Sequence, residues 1–136
     1  MKFLFDFFIQ EPLRENIVTY SHAKAVVGFG FAAILAFPAF ISIYYYVGLT
    51  NIATFIFISS IPVFISLFMM RTRQKIILSR EIIVGTLFVL FSYISIKLGG
   101  LVTHGIFWLL LPILVSILSG GFYSVIWWTL MSTATV

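Results

Sequence analysis

The groups in this chain with chemistry to offer are four carboxylates, two imidazoles and one lysine that stands apart from the other basic residues. The acids are Asp6, Glu11, Glu15 and Glu81, and each falls at or outside the edge of an apolar segment. No carboxylate is therefore expected at mid-membrane, where a proton- or cation-coupled transporter holds its ion. His22 and His104 fall at opposite ends of the apolar region, separated by a hydrocarbon thickness of roughly 30 Å, so they cannot share one metal or one haem. Lys97 lies near the end of a predicted helix, where its stem can snorkel to water. Together with Thr103, His104 and Trp108 it makes the candidate ligand-binding or sensing set. An outer-loop imidazole there can respond to pH or hold an anionic headgroup.

Three prolines, Pro38, Pro62 and Pro112, stand near the middle of predicted helices with serines close by. A mid-helix proline frees a carbonyl and bends the helix, and neighbouring hydroxyls can satisfy the freed group. These residues are the hinge candidates, around a level where a small cavity for an apolar ligand can form. No nucleophile has a nearby base, and there is no phosphate-binding glycine loop, ligand cluster or carboxylate pair. The segment is therefore expected to hold no catalytic residues, metal or cofactor. With no cysteine there is no disulfide or thiolate chemistry to propose.

The elements that must position these residues are set by composition. Hydrophobic residues make up 62% of the chain and charged residues 9%, and mean hydropathy is +1.17. These values exclude an ordinary soluble domain and predict an all-α, polytopic transmembrane bundle. A window of about 19 residues predicts spans over 23–47, 52–70, 82–98, 105–118 and 122–136, the last one short. A sixth span is expected beyond the end. The tight turn near Gly48 makes the first two spans antiparallel neighbours. Residues 1–22 mix phenylalanines with Asp6, Glu11, Arg14 and Glu15, predicting an amphipathic helix in the headgroup region, with Pro12 after a break. Trp108, Trp127 and Trp128 read as interface anchors.

Orientation follows from the basic residues. Arg71, Arg73, Lys75 and Arg80 fall in the loop predicted between the second and third spans, and Lys2, Arg14 and Lys24 precede the first. Only Lys97, of eight Lys and Arg residues, falls at an opposite loop, so the N-terminus is expected in the cytoplasm. The basic stretch 71–81 is explained by anionic lipid rather than nucleic acid. Gly28 and Gly30, with Ala32 and Ala33, form a small-residue patch suited to close helix contact.

Residues 98–121, LGGLVTHGIFWLLLPILVSILSGG, resemble part of the N-terminal multi-pass sensor region of bacterial membrane-bound (hybrid) sensor histidine kinases. The resemblance rests on Gly99, Gly100 and Leu101 leading to Trp108 and, four residues on, Pro112, then Gly120 and Gly121. The chain departs from the family's Ser-Pro at Thr103 and His104. The resemblance implies a bacterial inner-membrane sensor of a two-component system, likewise built on an Arg-rich inner loop. It also implies a homodimer, with the Gly28–Gly30 patch as one contact, and six spans leading to a cytoplasmic kinase. The expected partners are the bilayer and a small apolar ligand. Two other readings stay open: the membrane anchor of another output enzyme such as a nucleotide cyclase, and a small free-standing assembly or lipid-binding subunit.

Overall fold

The structure, a computed structural model, describes residues 5, 7–9, 11, 15–73, 75–98 and 105–135. Within them lie α1 (Ile17–Tyr46), α2 (Thr50–Arg73), α3 (Ile76–Lys97), α4 (Gly105–Leu118) and α5 (Phe122–Thr135). The chain is all-helical over the described residues, and consecutive helices alternate in direction and pack side by side. α3 also meets α1 and α5, so it is the element around which the others are arranged.

Three of these helices are long and apolar enough to cross a membrane: Ile17–Tyr46, Thr50–Thr72 and Ile76–Lys97. α4 and α5 have 14 residues each, giving about 21 Å where a hydrocarbon core needs about 30 Å. Of the five expected spans, the last of them expected to be short, three are thus full-length helices and two are shorter.

The boundaries also shift. Span one begins at Ile17 rather than residue 23, because Asn16 adopts an extended backbone and its side chain accepts from the N–H groups of Val18 (3.0 Å) and Thr19 (3.4 Å). That is an N-cap, and the apolar residues after it continue the helix. The basic stretch 71–81 is mostly helix rather than loop, with only residues 74 and 75 between α2 and α3. Arg, Lys, Gln and Glu are good helix formers, so charge does not keep this stretch from being helical on either side of residues 74 and 75.

Of the proposed lead-in, Pro12 lies outside the described residues, and residues 17–22 belong to α1. Ile9 is fully buried and packs with Ala23, Val27, Leu67 and Met70, joined by Phe5 and Phe8 at its edge. The Arg71 guanidinium lies 3.6 Å from the centre of the Phe7 ring, a cation–π contact. The described lead-in residues therefore pack against the ends of α1 and α2.

In lipid, helices are held together less by the hydrophobic effect than by close packing and hydrogen bonds. Both occur between α1, α2 and α3. A Cβ at Gly30 would lie 2.7 Å from Leu67 Cδ2, so glycine is what lets α1 approach α2. The part of the small-residue patch expected to face a second copy is thus occupied inside the protomer, while Gly28 has open space beside it. Between α2 and α3, Ser66 Oγ donates to the Ser79 carbonyl (2.8 Å) and Ser79 Oγ donates to the Ser66 carbonyl (3.0 Å). Both serines are fully buried. This reciprocal pair fixes the register of the two helices beside their short connection.

Candidate functional site

Two features meet on α3, and the helical repeat separates them. Leu87, Leu90, Phe91 and Ile94 recur at the spacing of one face, while Glu81, Gly85 and Phe88 recur on a second face, roughly a third of a turn away. The first face walls an apolar cavity, and the second seats α5.

The cavity has a volume of about 290 Å³. Besides the four α3 residues, its walls are Ile56 of α2, Leu111 of α4 and a stripe on α1 that runs from Phe29 to Tyr44. Apart from Tyr44, every side chain in this wall is apolar. Alanines at 32, 33 and 36 on the α1 stripe leave the space open, since larger residues there would reach α3 and α4.

The seat is polar. Glu81 Oε1 accepts from Arg80 Nε (3.0 Å) and Nη2 (2.8 Å), while Oε2 accepts from Trp128 Nε1 (3.0 Å) and Ser124 Oγ (3.1 Å). One carboxylate thus receives four hydrogen bonds from α3 and α5, of the charge-assisted kind that is strongest where water is scarce. Ser124 Oγ lies 3.2 Å from Ser116 Oγ, which extends the network into α4. The Trp128 ring lies over α3, with its centre 5.3 Å from that of Phe88. It fits because a Cβ at Gly85 would come within 3.3 Å of Trp128 Cη2.

The α4–α5 turn is fitted to the same place. Gly120 has φ +75°, a left-handed conformation that favours glycine. Its missing Cβ leaves room for the His22 ring. A Cβ at Gly121 would lie 2.5 Å from Arg80 Cζ, so the guanidinium packs directly on the turn. Arg80 itself is 8% exposed. A broad cleft of about 890 Å³ opens beside this cluster, with His22, Lys75, Arg80 and Glu81 among its walls.

The residues named from sequence fare differently. Lys97 is exposed in the last turn of α3, its ammonium 5.8 Å from the centre of the Tyr93 ring, and it does not line the cavity. Thr103 and His104 lie outside the described residues, as does the Trp108 side chain, although Trp108 is within α4. The three prolines are all inside continuous helices. Pro38 is exposed, Pro62 half-buried and Pro112 buried. Ser42 Oγ bonds to the carbonyl of Pro38 itself (2.8 Å), and Ser60 Oγ to that of Phe57 (2.6 Å). Neither reaches the carbonyl freed four residues before its proline.

Sequence reasoning missed the Arg80, Glu81, Ser124 and Trp128 cluster. It placed Arg80 and Glu81 in a loop and Trp128 at an interface, whereas the structure puts the first two in α3 and joins them to the third. The available signal was an adjacent Arg–Glu pair followed at once by an unbroken apolar helix pattern. Comparison with protein-family models, curated proteins and solved structures finds no match to this chain.

Proposed function

We propose that this chain is a transmembrane sensor in which occupancy of the apolar cavity alters how α5 is seated on α3. One observation carries the reading: Leu87 and Phe88 are adjacent, the first in the cavity wall and the second under Trp128. A ligand that turns or displaces α3 to fit the cavity therefore disturbs the platform of α5. Such a ligand acts only through different affinities for two packings of the bundle. Pro38, beside the α1 stripe, and Pro112, beside Leu111, are the places where α1 and α4 would bend to accommodate it.

The output proposed is that of a two-component histidine kinase, on the strength of the resemblance over residues 98–121. In this reading the chain is multi-pass in a bacterial inner membrane with its N-terminus in the cytoplasm, supported by the basic residues at 71–80. A homodimer, with Lys97, Thr103, His104 and Trp108 as an outer sensing patch, is part of the same proposal.

The intact mass of the product expressed from the native gene tests the kinase output. A product well above the 15.4 kDa of this chain, which autophosphorylates on histidine with ATP, is the expected result. A product of 15.4 kDa would contradict it and leave a membrane subunit without a kinase.

A further inference from the structure

The shape of the cavity limits what can fill it. Its α1 wall runs from Phe29 to Tyr44, sixteen residues separated by fifteen helical rises and so about 22 Å along the helix axis. The about 290 Å³ is the space open to the centre of a water molecule, so over that length the bore averages about 4 Å across for such centres and about 7 Å between its walls once a water radius of about 1.4 Å is added on each side. The bore is about three times longer than it is wide, and carbon atoms in contact sit about 3.5–4.0 Å apart, so an extended hydrocarbon chain lines up contacts along its whole length where a compact ring fills only a part of it.

The ends of the bore differ as well. At one end are Phe29 and the alanines of α1; at the other is Tyr44, the single hydroxyl in the wall. Tyr44 is followed by the exposed Tyr45 and Tyr46 and then by the turn at Gly48, where α1 ends. Tyrosines suit the wet boundary of a bilayer, with ring in hydrocarbon and hydroxyl in the headgroup layer. The bore therefore runs along the membrane-spanning part of α1, with its polar end at the interface, as an acyl chain does in a leaflet.

We propose that the cavity binds one unbranched acyl chain lengthwise, with its carboxyl or ester oxygen accepting a hydrogen bond from the Tyr44 hydroxyl. The assignment rests on the cavity being the ligand site of the sensor reading. The chemistry is shared by a free fatty acid and by one tail of a membrane phospholipid.

The test uses the full chain in vesicles of phosphatidylethanolamine and phosphatidylglycerol, with palmitic acid carrying a mid-chain diazirine as the probe. Photolysis should place a single label per chain on the cavity faces of α1 and α3, between Phe29 and Tyr44 and between Leu87 and Ile94. Ala36→Trp, which plugs the bore, should reduce labelling at least about tenfold, while Leu35→Trp, on the exposed side of α1, should leave it unchanged. Tyr44→Phe keeps the bore and removes the hydroxyl, and should weaken labelling about fivefold. Excess free palmitate that displaces the probe identifies the free acid, whereas displacement on raising phospholipid alone identifies a lipid tail.

Labels scattered over the exposed faces at Phe57, Phe64 and Phe68, insensitive to Ala36→Trp, would overturn the proposal. The sensor reading fails separately: a chain bound as described that leaves the α3–α5 distance unchanged sinks the relay and keeps the site. A branched or cyclic apolar compound that shifts that distance, with acyl probe scattered, sinks the acyl assignment and keeps the relay.

Discussion

The two faces of α3 are built from opposite materials. Along Leu87, Leu90, Phe91 and Ile94 it meets apolar side chains and a void. Around Glu81 it meets directed hydrogen bonds from Arg80, Ser124 and Trp128, with glycines at 85, 120 and 121 cut to fit. Packing without hydrogen bonds can slide by fractions of an ångström at little cost, whereas a shared carboxylate tolerates one geometry. The bundle is thus pinned at the Glu81 end and compliant along the cavity, which is the arrangement a lever needs.

Breaking the pinned end should have the largest effect. Glu81→Leu leaves the buried Arg80 guanidinium unpaired and removes the acceptor of Trp128 and Ser124. The expected loss is about 3 kcal/mol, the low end for breaking a buried pair, since Glu81 keeps 34% of its side-chain surface exposed. Reversible unfolding in mixed micelles measures it, and a loss no larger than that of an exposed ion pair would show that α5 is not held there.

Trp128→Phe deletes the donor together with the Cζ2–Cη2 edge that packs on Gly85. It should cost about 2 kcal/mol, about 1 of it for the hydrogen bond and the rest for the lost ring contact, and raise proteolytic cleavage within α5 before any other helix. Cleavage spread evenly over α4 and α5 would mean that Trp128 is not the local tie.

The compliant end should respond less. Ala36→Leu adds bulk to an existing void, so it should shift stability by less than about 1 kcal/mol, where the same change in a filled core costs about 1–3 kcal/mol. A large loss would mean that the space is not open in the bilayer.

The smallest effect is expected at Ser92, whose buried hydroxyl has no partner among the described residues. Removing an unsatisfied hydroxyl is close to neutral or stabilising. Ser66→Ala sharpens the contrast, because there a paired hydroxyl is lost between α2 and α3, at about 0.6 kcal/mol, the average for such bonds in membrane bundles.

Much of the helical layout could be read directly. Long apolar runs, the Gly48 turn and the Gly120–Gly121 turn mark where α1, α2, α4 and α5 begin or end. The start of α1 was readable too, since Asn16 stands just before an apolar pattern. The 71–81 stretch was misread because hydropathy counts charge against a span, while helix propensity does not. The Glu81–Trp128 bond joins residues 47 positions apart, and nothing in either residue's neighbours encodes that meeting. The cavity is a property of what four helices leave unfilled; Pro38 and Pro112, next to Phe37 and Leu111 of its wall, pointed to its level, while Ala32 and Ala33, read from sequence as a helix contact, line it instead.

The claim that cavity and seat are coupled through α3 is tested most directly by the distance between α3 and α5. The chain has no cysteine, so Val89→Cys and Ile126→Cys, both at exposed positions, give a unique pair of spin labels. Their distance distribution in bilayers should shift or split when Ala36→Phe fills the cavity. A distribution identical with and without that substitution would contradict the coupling and leave the cavity and the Glu81 cluster as independent features.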